Sequence, residues 1–232
     1  IIENSLAILL GFSLALVHLL GEKLEEYVSD YKMRILSFST GVSITYIFVH
    51  LLPEFQRIAI DTSEAVFVFP LLGFSTIHVT EKYIAKSGLS SEKVKEDYAE
   101  IHSVFLFIYH GAIGYLIASL LASSTVSGLL FFLPILLHTA VSSLSTSELH
   151  EEFVSNNWVR TLLSLAPVTG VLLHIYGIIG EGLFNPIFGT AIGMFFYVAI
   201  RDSIPRGQRG RPLEYVIGAG AYLAVILVAN TL

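Results

Sequence analysis

Gly41-Val-Ser-Ile-Thr-Tyr-Ile-Phe-Val-His-Leu-Leu-Pro-Glu54 keeps its one histidine and one carboxylate to its last turn and is otherwise apolar or small. Extended back to Arg34, it gives an apolar stretch, 34–52, long enough to cross about 30 Å of hydrocarbon as a helix. Seven more such stretches follow from the same reading, at 4–20, 65–85, 99–122, 127–149, 158–177, 184–204 and 213–231. Over the 232 residues, 54% of side chains are apolar and 14% charged, with a mean hydropathy of +0.72. Soluble domains average about 45–50% and about 25%. These figures exclude a soluble enzyme and a secreted module. The expected fold is an all-α membrane protein of eight transmembrane helices, one transmembrane domain over 1–232 with short connections and no extramembrane domain. With Ile rather than Met at residue 1, the chain is expected to be trimmed at its start.

Basic residues give the expected orientation, because cytoplasmic segments collect Lys and Arg. With the N-terminus outside, Lys23, Lys32, Arg34, Lys82, Lys86, Lys93, Lys95, Arg160, Arg201, Arg206, Arg209 and Arg211 all fall inside, and Arg57 alone falls outside. A missing span would scramble that separation, so both termini are expected outside. The net charge of -6 is spread over the connections, with no basic run suited to nucleic acid. Cysteine is absent, which removes disulfides, thiolate metal sites and cysteine nucleophiles together.

An internal repeat surfaces when 37–57 is set against 189–209. Gly41 then meets Gly193, Pro53 meets Pro205, Gln56 meets Gln208 and Arg57 meets Arg209, while Ser37 falls on Gly189. Each copy has a small-xxx-small pair, an apolar run and a terminal Pro. Span 2 runs outward and span 7 inward, so the copies are expected to be inverted, as in many transporters. Small-residue faces at Gly189/Gly193 and Gly218/Gly220 pack either within the monomer or between copies of a homo-oligomer.

Ionisable groups inside a membrane are costly enough to mark functional candidates. No Asp or Glu occupies the middle of any expected span: Glu54, Glu81, Glu100, Glu148 and Asp202 all stand near ends. That leaves His110, midway along span 4, and His138, midway along span 5. The two spans join through a short turn near Ala122 to Thr125, so both imidazoles are expected at one depth. Neutral imidazole is a common ligand for zinc and similar ions. Ser142, one turn after His138, adds a hydroxyl to this expected central site, and cross-helix hydrogen bonding is the other role open to the three. His50 and Glu54 form the expected outer pair, with His174 and Glu181 at a similar level. His78 and Glu81, three residues apart on one helix face, form the inner pair. His18, His102, His150, Glu151 and Glu152 are also expected near the cytoplasmic helix ends. Pro70, Pro134 and Pro167 fall inside spans 3, 5 and 6, where each removes a backbone donor.

At these residues the sequence resembles the ZIP family of divalent-metal transporters. Gly41 to Glu54 looks like the family's second helix with its His-Leu-Leu-Pro-Glu ending, Glu81-Lys82 closes span 3 as the family does, and Gly189 to Pro205 resembles its seventh helix. The resemblance covers nearly the whole chain. It implies eight spans with both ends outside, an inverted relation of spans 1–3 and 6–8 around spans 4 and 5, and a transport site at His110 and His138. The fourth-helix motif, usually His-Asn-x-x-Asp/Glu, reads His110-Gly-Ala-Ile-Gly114 here. The fifth, usually His-Glu-x-x-His/Glu, reads His138-Thr-Ala-Val-Ser142, and the sixth has Ala166 before Pro167 where the family often has Glu. The family's His-rich loop between spans 3 and 4 is also missing from Ser87 to Tyr98.

Two functions from different classes follow. One is a carrier of zinc or a similar divalent cation toward the cytoplasm, the metal being substrate rather than cofactor, through a central site lacking carboxylates. The other is a protein of the same fold that has lost high-affinity metal transport and moves another solute or serves in an assembly. An enzyme is not expected, because neither His-x-x-x-His nor His-Glu-x-x-His occurs.

Overall fold

Without water to satisfy backbone N–H and C=O groups, apolar stretches of this length close their hydrogen bonds internally, as helices. The computed structural model describes residues 2–28, 31–61, 63–87, 92–145, 157–203 and 210–231, without the side chains of 21–28, 81, 84–87, 92–102, 142–145, 157–160, 181, 202 and 203. Among the described residues the chain is helical and contains no strand. Helix α1 covers Ile2–Val28 and α2 covers Lys32–Tyr46; a π-helical turn at Ile47–Leu51 leads into α3, Leu52–Asp61. A 3-10 turn at Glu64–Phe67 opens α4, Val68–Ser87, followed by α5, Glu92–Ser123, and α6, Thr125–Ser145. Helices α7, Asn157–Ser164, and α8, Ala166–Ile175, precede a 3-10 turn at Glu181–Leu183, then α9, Phe184–Ser203, and α10, Pro212–Ala229.

Five helical segments among the described residues are long and apolar enough to cross a membrane: Ile2–Leu20, Lys32–Asp61, Ser103–Ser123, Phe184–Arg201 and Pro212–Ala229. Shorter apolar helices at Glu64–Thr80, Thr125–Val141 and Ala166–Ile175 fall on the three remaining apolar stretches of the sequence. Large apolar side chains also face outward, among them Leu9, Phe12, Leu71, Leu72, Val216 and Leu227. An apolar periphery of this extent is costly in water and suited to acyl chains. These features are compatible with a multi-pass integral membrane protein.

The prolines act differently from one another. Pro53 interrupts nothing: helix runs from Lys32 to Asp61, and the turn before the ring widens instead. Leu52 N–H donates to Ile47 O, five residues back, which moves the preceding carbonyls away from the pyrrolidine ring. Pro70 and Pro167 lie in the first turns of α4 and α8, where a missing N–H costs little, so neither kinks a span from within. The stretch expected as one helix over 158–177 is instead two, joined at Leu165 just ahead of Pro167. Pro134 does lie inside α6. It removes the donor that Leu130 O would have used, and the Tyr222 hydroxyl on α10 donates to that carbonyl at 2.6 Å.

Three helix pairs pack backbone against backbone through glycine. A Cβ at Gly41 would overlap Tyr215 O, and one at Gly218 would overlap Phe38 O, so α2 and α10 touch along both chains. Gly73 approaches Thr190 O and Gly193 approaches Pro70 O, which joins α4 to α9; Gly114 approaches Pro167 O and Gly170 approaches Gly111 O, which joins α5 to α8. Contacts further along each pair rise together in number, Ser37 with Arg211 and then Gly41 with Tyr215, Phe69 with Gly189 and then Phe74 with Tyr197, and Gly111 with Ala166 and then Tyr115 with His174, so each pair is parallel. Gly189 also packs within the chain, against Phe69 and Pro70, whereas Gly220 has open space beside it.

The Tyr222 bond predicts a particular non-additivity. Tyr222→Phe should cost about 1–3 kcal/mol of stability in detergent, because it orphans a buried carbonyl. On a Pro134→Ala background the new N–H bonds Leu130 O and the same change should cost clearly less. Unfolding titrations of the four proteins measure this, and equal cost on both backgrounds contradicts the account.

Candidate functional site

Helices α5 and α6 are joined by the single residue Ser124, with Ser124 N–H bonding Leu120 O and Gly128 N–H bonding Ser124 O. His110 stands 13 residues before the end of α5 at Ser123, and His138 13 residues after the start of α6 at Thr125. At about 1.5 Å per residue, both lie roughly 20 Å below that joint. Both are buried, at 8% and 4% exposure.

Their recorded surroundings differ. The His110 ring meets His18 of α1 edge-on, with centroids 5.3 Å apart, and Tyr109 at 5.1 Å. The His138 ring meets Phe195 of α9 edge-on at 5.4 Å. His110 Nδ1 lies 2.9 Å from Leu106 O. A carbonyl only accepts, so Nδ1 carries the proton, and in the neutral ring Nε2 carries the lone pair. Histidines that bind metals share this feature, one nitrogen being oriented by a backbone carbonyl.

His18, expected near the cytoplasmic end, thus belongs beside His110. Its signal was in the sequence: Ala7, Gly11 and Leu14 are buried at helical spacing along α1, and His18 continues that row. Ser142 lies on α6, but its side chain falls outside the described residues, as do those of Glu81 and Glu181 and that of His102. Glu148, His150, Glu151 and Glu152 lie outside them altogether, and Asp202 and Glu100 are described in backbone only. Among the described residues no three His, Asp or Glu side chains gather where they could hold a metal ion.

At the expected outer level, His50 and Glu54 line one recess, together with Tyr46, Ser123, Ser127 and Phe188. Glu54 is ion-paired with Arg57 one turn on. The floor of the recess is aromatic. Tyr46 stacks on His50 at 5.6 Å and stands edge-on to Phe131 at 6.2 Å and to Tyr222 at 6.0 Å. His174, expected at a similar level, meets Tyr115 edge-on at 5.2 Å. At the expected inner level His78 is exposed and lies against Phe74 and Tyr197.

Compared with protein-family models and with curated proteins, the chain matches none.

The tautomer of His110 is directly testable. In 15N spectra of histidine-labelled protein near neutral pH, His110 should show a protonated Nδ1 and an unprotonated Nε2. That pair of resonances should vanish in His110→Ala. Finding the proton on Nε2 instead would remove the ligand geometry.

Proposed function

We propose that the chain is a ZIP-like membrane carrier that crosses the bilayer eight times, has both termini outside, and moves a divalent cation such as zinc toward the cytoplasm. The observation that carries this reading is the pattern of helix pairing. Let the eight helical stretches be numbered as spans, with α2 and α3 forming the second and α7 and α8 the sixth. Exchanging span 1 with 6, 2 with 7, 3 with 8 and 4 with 5 turns the α2–α10 pair into the α9–α4 pair. The same exchange turns α5–α8 into α6–α1, which are also neighbours. The glycines follow: Gly41 facing α10 becomes Gly193 facing α4, the two residues the sequence repeat aligns. Parallel packing of spans 2 and 8, 3 and 7, and 4 and 6 is what alternate crossing requires, since an odd number of spans lies between the members of each pair. An inverted repeat of spans 1–3 and 6–8 around spans 4 and 5 accounts for all of this.

At the centre of such a carrier, the His110 and His18 rings meet edge-on, and His138 lies at the same depth. Imidazoles supply nitrogen ligands but no negative charge. A dication here keeps part of its water shell, because full dehydration without a carboxylate is strongly disfavoured. Binding is therefore weak and release to the cytoplasm is easy. Tyr46, Phe131 and Tyr222 close the route between the outer recess and this level.

The second reading, a ZIP-like fold serving another solute or an assembly, draws on the absence of a three-ligand cluster among the described residues. Uptake of radioactive zinc into proteoliposomes separates the two. Wild-type protein should accumulate metal. His110→Ala should weaken apparent affinity on the order of tenfold or more, at least the cost of losing an outer-shell partner, and His18→Ala should weaken it less. Uptake that is equal in wild type, both variants and empty vesicles favours the second reading.

Orientation has its own test, helped by the cysteine-free chain. Single cysteines at Ser63 and Thr231 should react with an impermeant maleimide added outside intact cells, and one at Lys32 should react only after permeabilisation. Any other pattern rejects eight crossings with both ends outside.

A further inference from the structure

Serine and threonine in a helix normally satisfy their hydroxyls on the carbonyl four residues back, and Thr40 does so, donating to Leu36 O at 2.8 Å. Its neighbours Ser39 and Ser43 do not. Both are fully buried, and neither hydroxyl has a hydrogen-bond partner. In a membrane interior an unsatisfied hydroxyl is costly, and two, one helical turn apart, on the same face of one helix, call for a common explanation.

Their position supplies it. The Tyr46 ring lies against Phe131 of α6, and the recess above brings His50 and Glu54 of the second span level with Ser127. As numbers fall from 54 to 46 along the second span they rise from 127 to 131 along α6, so the two helices are antiparallel and in register. Seven residues are two turns less about 20°. Ser39, seven before Tyr46, and His138, seven after Phe131, therefore continue the same two faces two turns further in. Phe195 of α9 covers the His138 ring.

We infer that Ser39 and Ser43 hold water at the level of His138, forming a buried hydration site walled by Phe131, Phe195 and Tyr46. Each hydroxyl offers one donor and two acceptor positions, enough for bridging water that also reaches the imidazole. The site's role rests on the carrier reading: this water is the part of the cation's shell that stays on while His138 takes one position. The water itself does not depend on that reading.

X-ray radiolytic labelling in 18O-enriched water, on metal-free protein, tests it. Hydroxyl radicals made from ordered water mark adjacent side chains even where bulk solvent has no access. Tyr46, Phe131 or His138 should take up 18O in wild type, and Ser39→Ala/Ser43→Ala should lose that labelling while exposed Tyr83 and Tyr176 label as before. No labelling in wild type, or unchanged labelling in the double variant, overturns the site. Stability gives a second readout, because deleting two dry, unsatisfied hydroxyls should stabilise the protein, whereas deleting the partners of bound water should not. A raised melting temperature in the double variant therefore also counts against it. Labelling that is lost while zinc uptake stays at the wild-type level overturns the hydration role. Failure of wild-type uptake itself falls on the carrier reading and leaves the labelling result standing.

Discussion

Backbone-to-backbone contact at glycine sets the spacing of this bundle. Apolar side chains gain little by leaving lipid for a protein interior of the same polarity, so helix association in a membrane relies on close packing and on hydrogen bonds that have no alternative partner. At Gly41 and Gly218, at Gly73 and Gly193, and at Gly114 and Gly170, a neighbouring carbonyl or amide occupies the space a methyl group would need. Those contacts fix three parallel pairs, and the three pairs fix which faces of α1, α5 and α6 are turned inward. The depth shared by His110 and His138 follows from α5 and α6, but the company each keeps follows from the pairs around them.

A second constraint is the satisfaction of carbonyls freed by proline. The chain solves it in three ways. Before Pro53 the helix widens by one residue. Before Pro167 it divides at Leu165 and restarts, with Thr169 N–H bonding Leu165 O across the joint. At Pro134 the neighbouring helix supplies the donor, through Tyr222. The third solution has the widest reach, because Tyr222 also abuts Tyr46, and Tyr46 abuts Phe131 and His50. A backbone defect in α6 is thereby tied to the aromatic floor of the outer recess.

Much of the fold was legible from periodicity and length. Among the described residues each of the eight apolar stretches is mainly helical, and the aligned pair Gly41 and Gly193 makes equivalent contacts in two helix pairs. Helix ends were not legible: α1 runs on to Val28 and α5 starts at Glu92, because charged residues continue a helix once it leaves hydrocarbon and hydropathy cannot register it. The sequence set His110 and His138 at matching heights on two helices joined by a short turn, and was silent about their neighbours. Sequence spacing gives a residue's height along its own helix, but which foreign helix it meets depends on rotation, so His18 beside His110 became visible only with the packing. Ser39 and Ser43 stand out only through their burial and their unsatisfied hydroxyls.

The one-residue link at Ser124 has a mechanical meaning. Helices α5 and α6 share a hinge too short to let either slide along the membrane normal independently of the other. In the proposed carrier, any rocking of the helices around them would have to treat α5 and α6 as one rigid hairpin, a mast on which both imidazoles ride. The height of each ring in that carrier would then be set by a single degree of freedom, and the two would change compartments in lockstep or not at all.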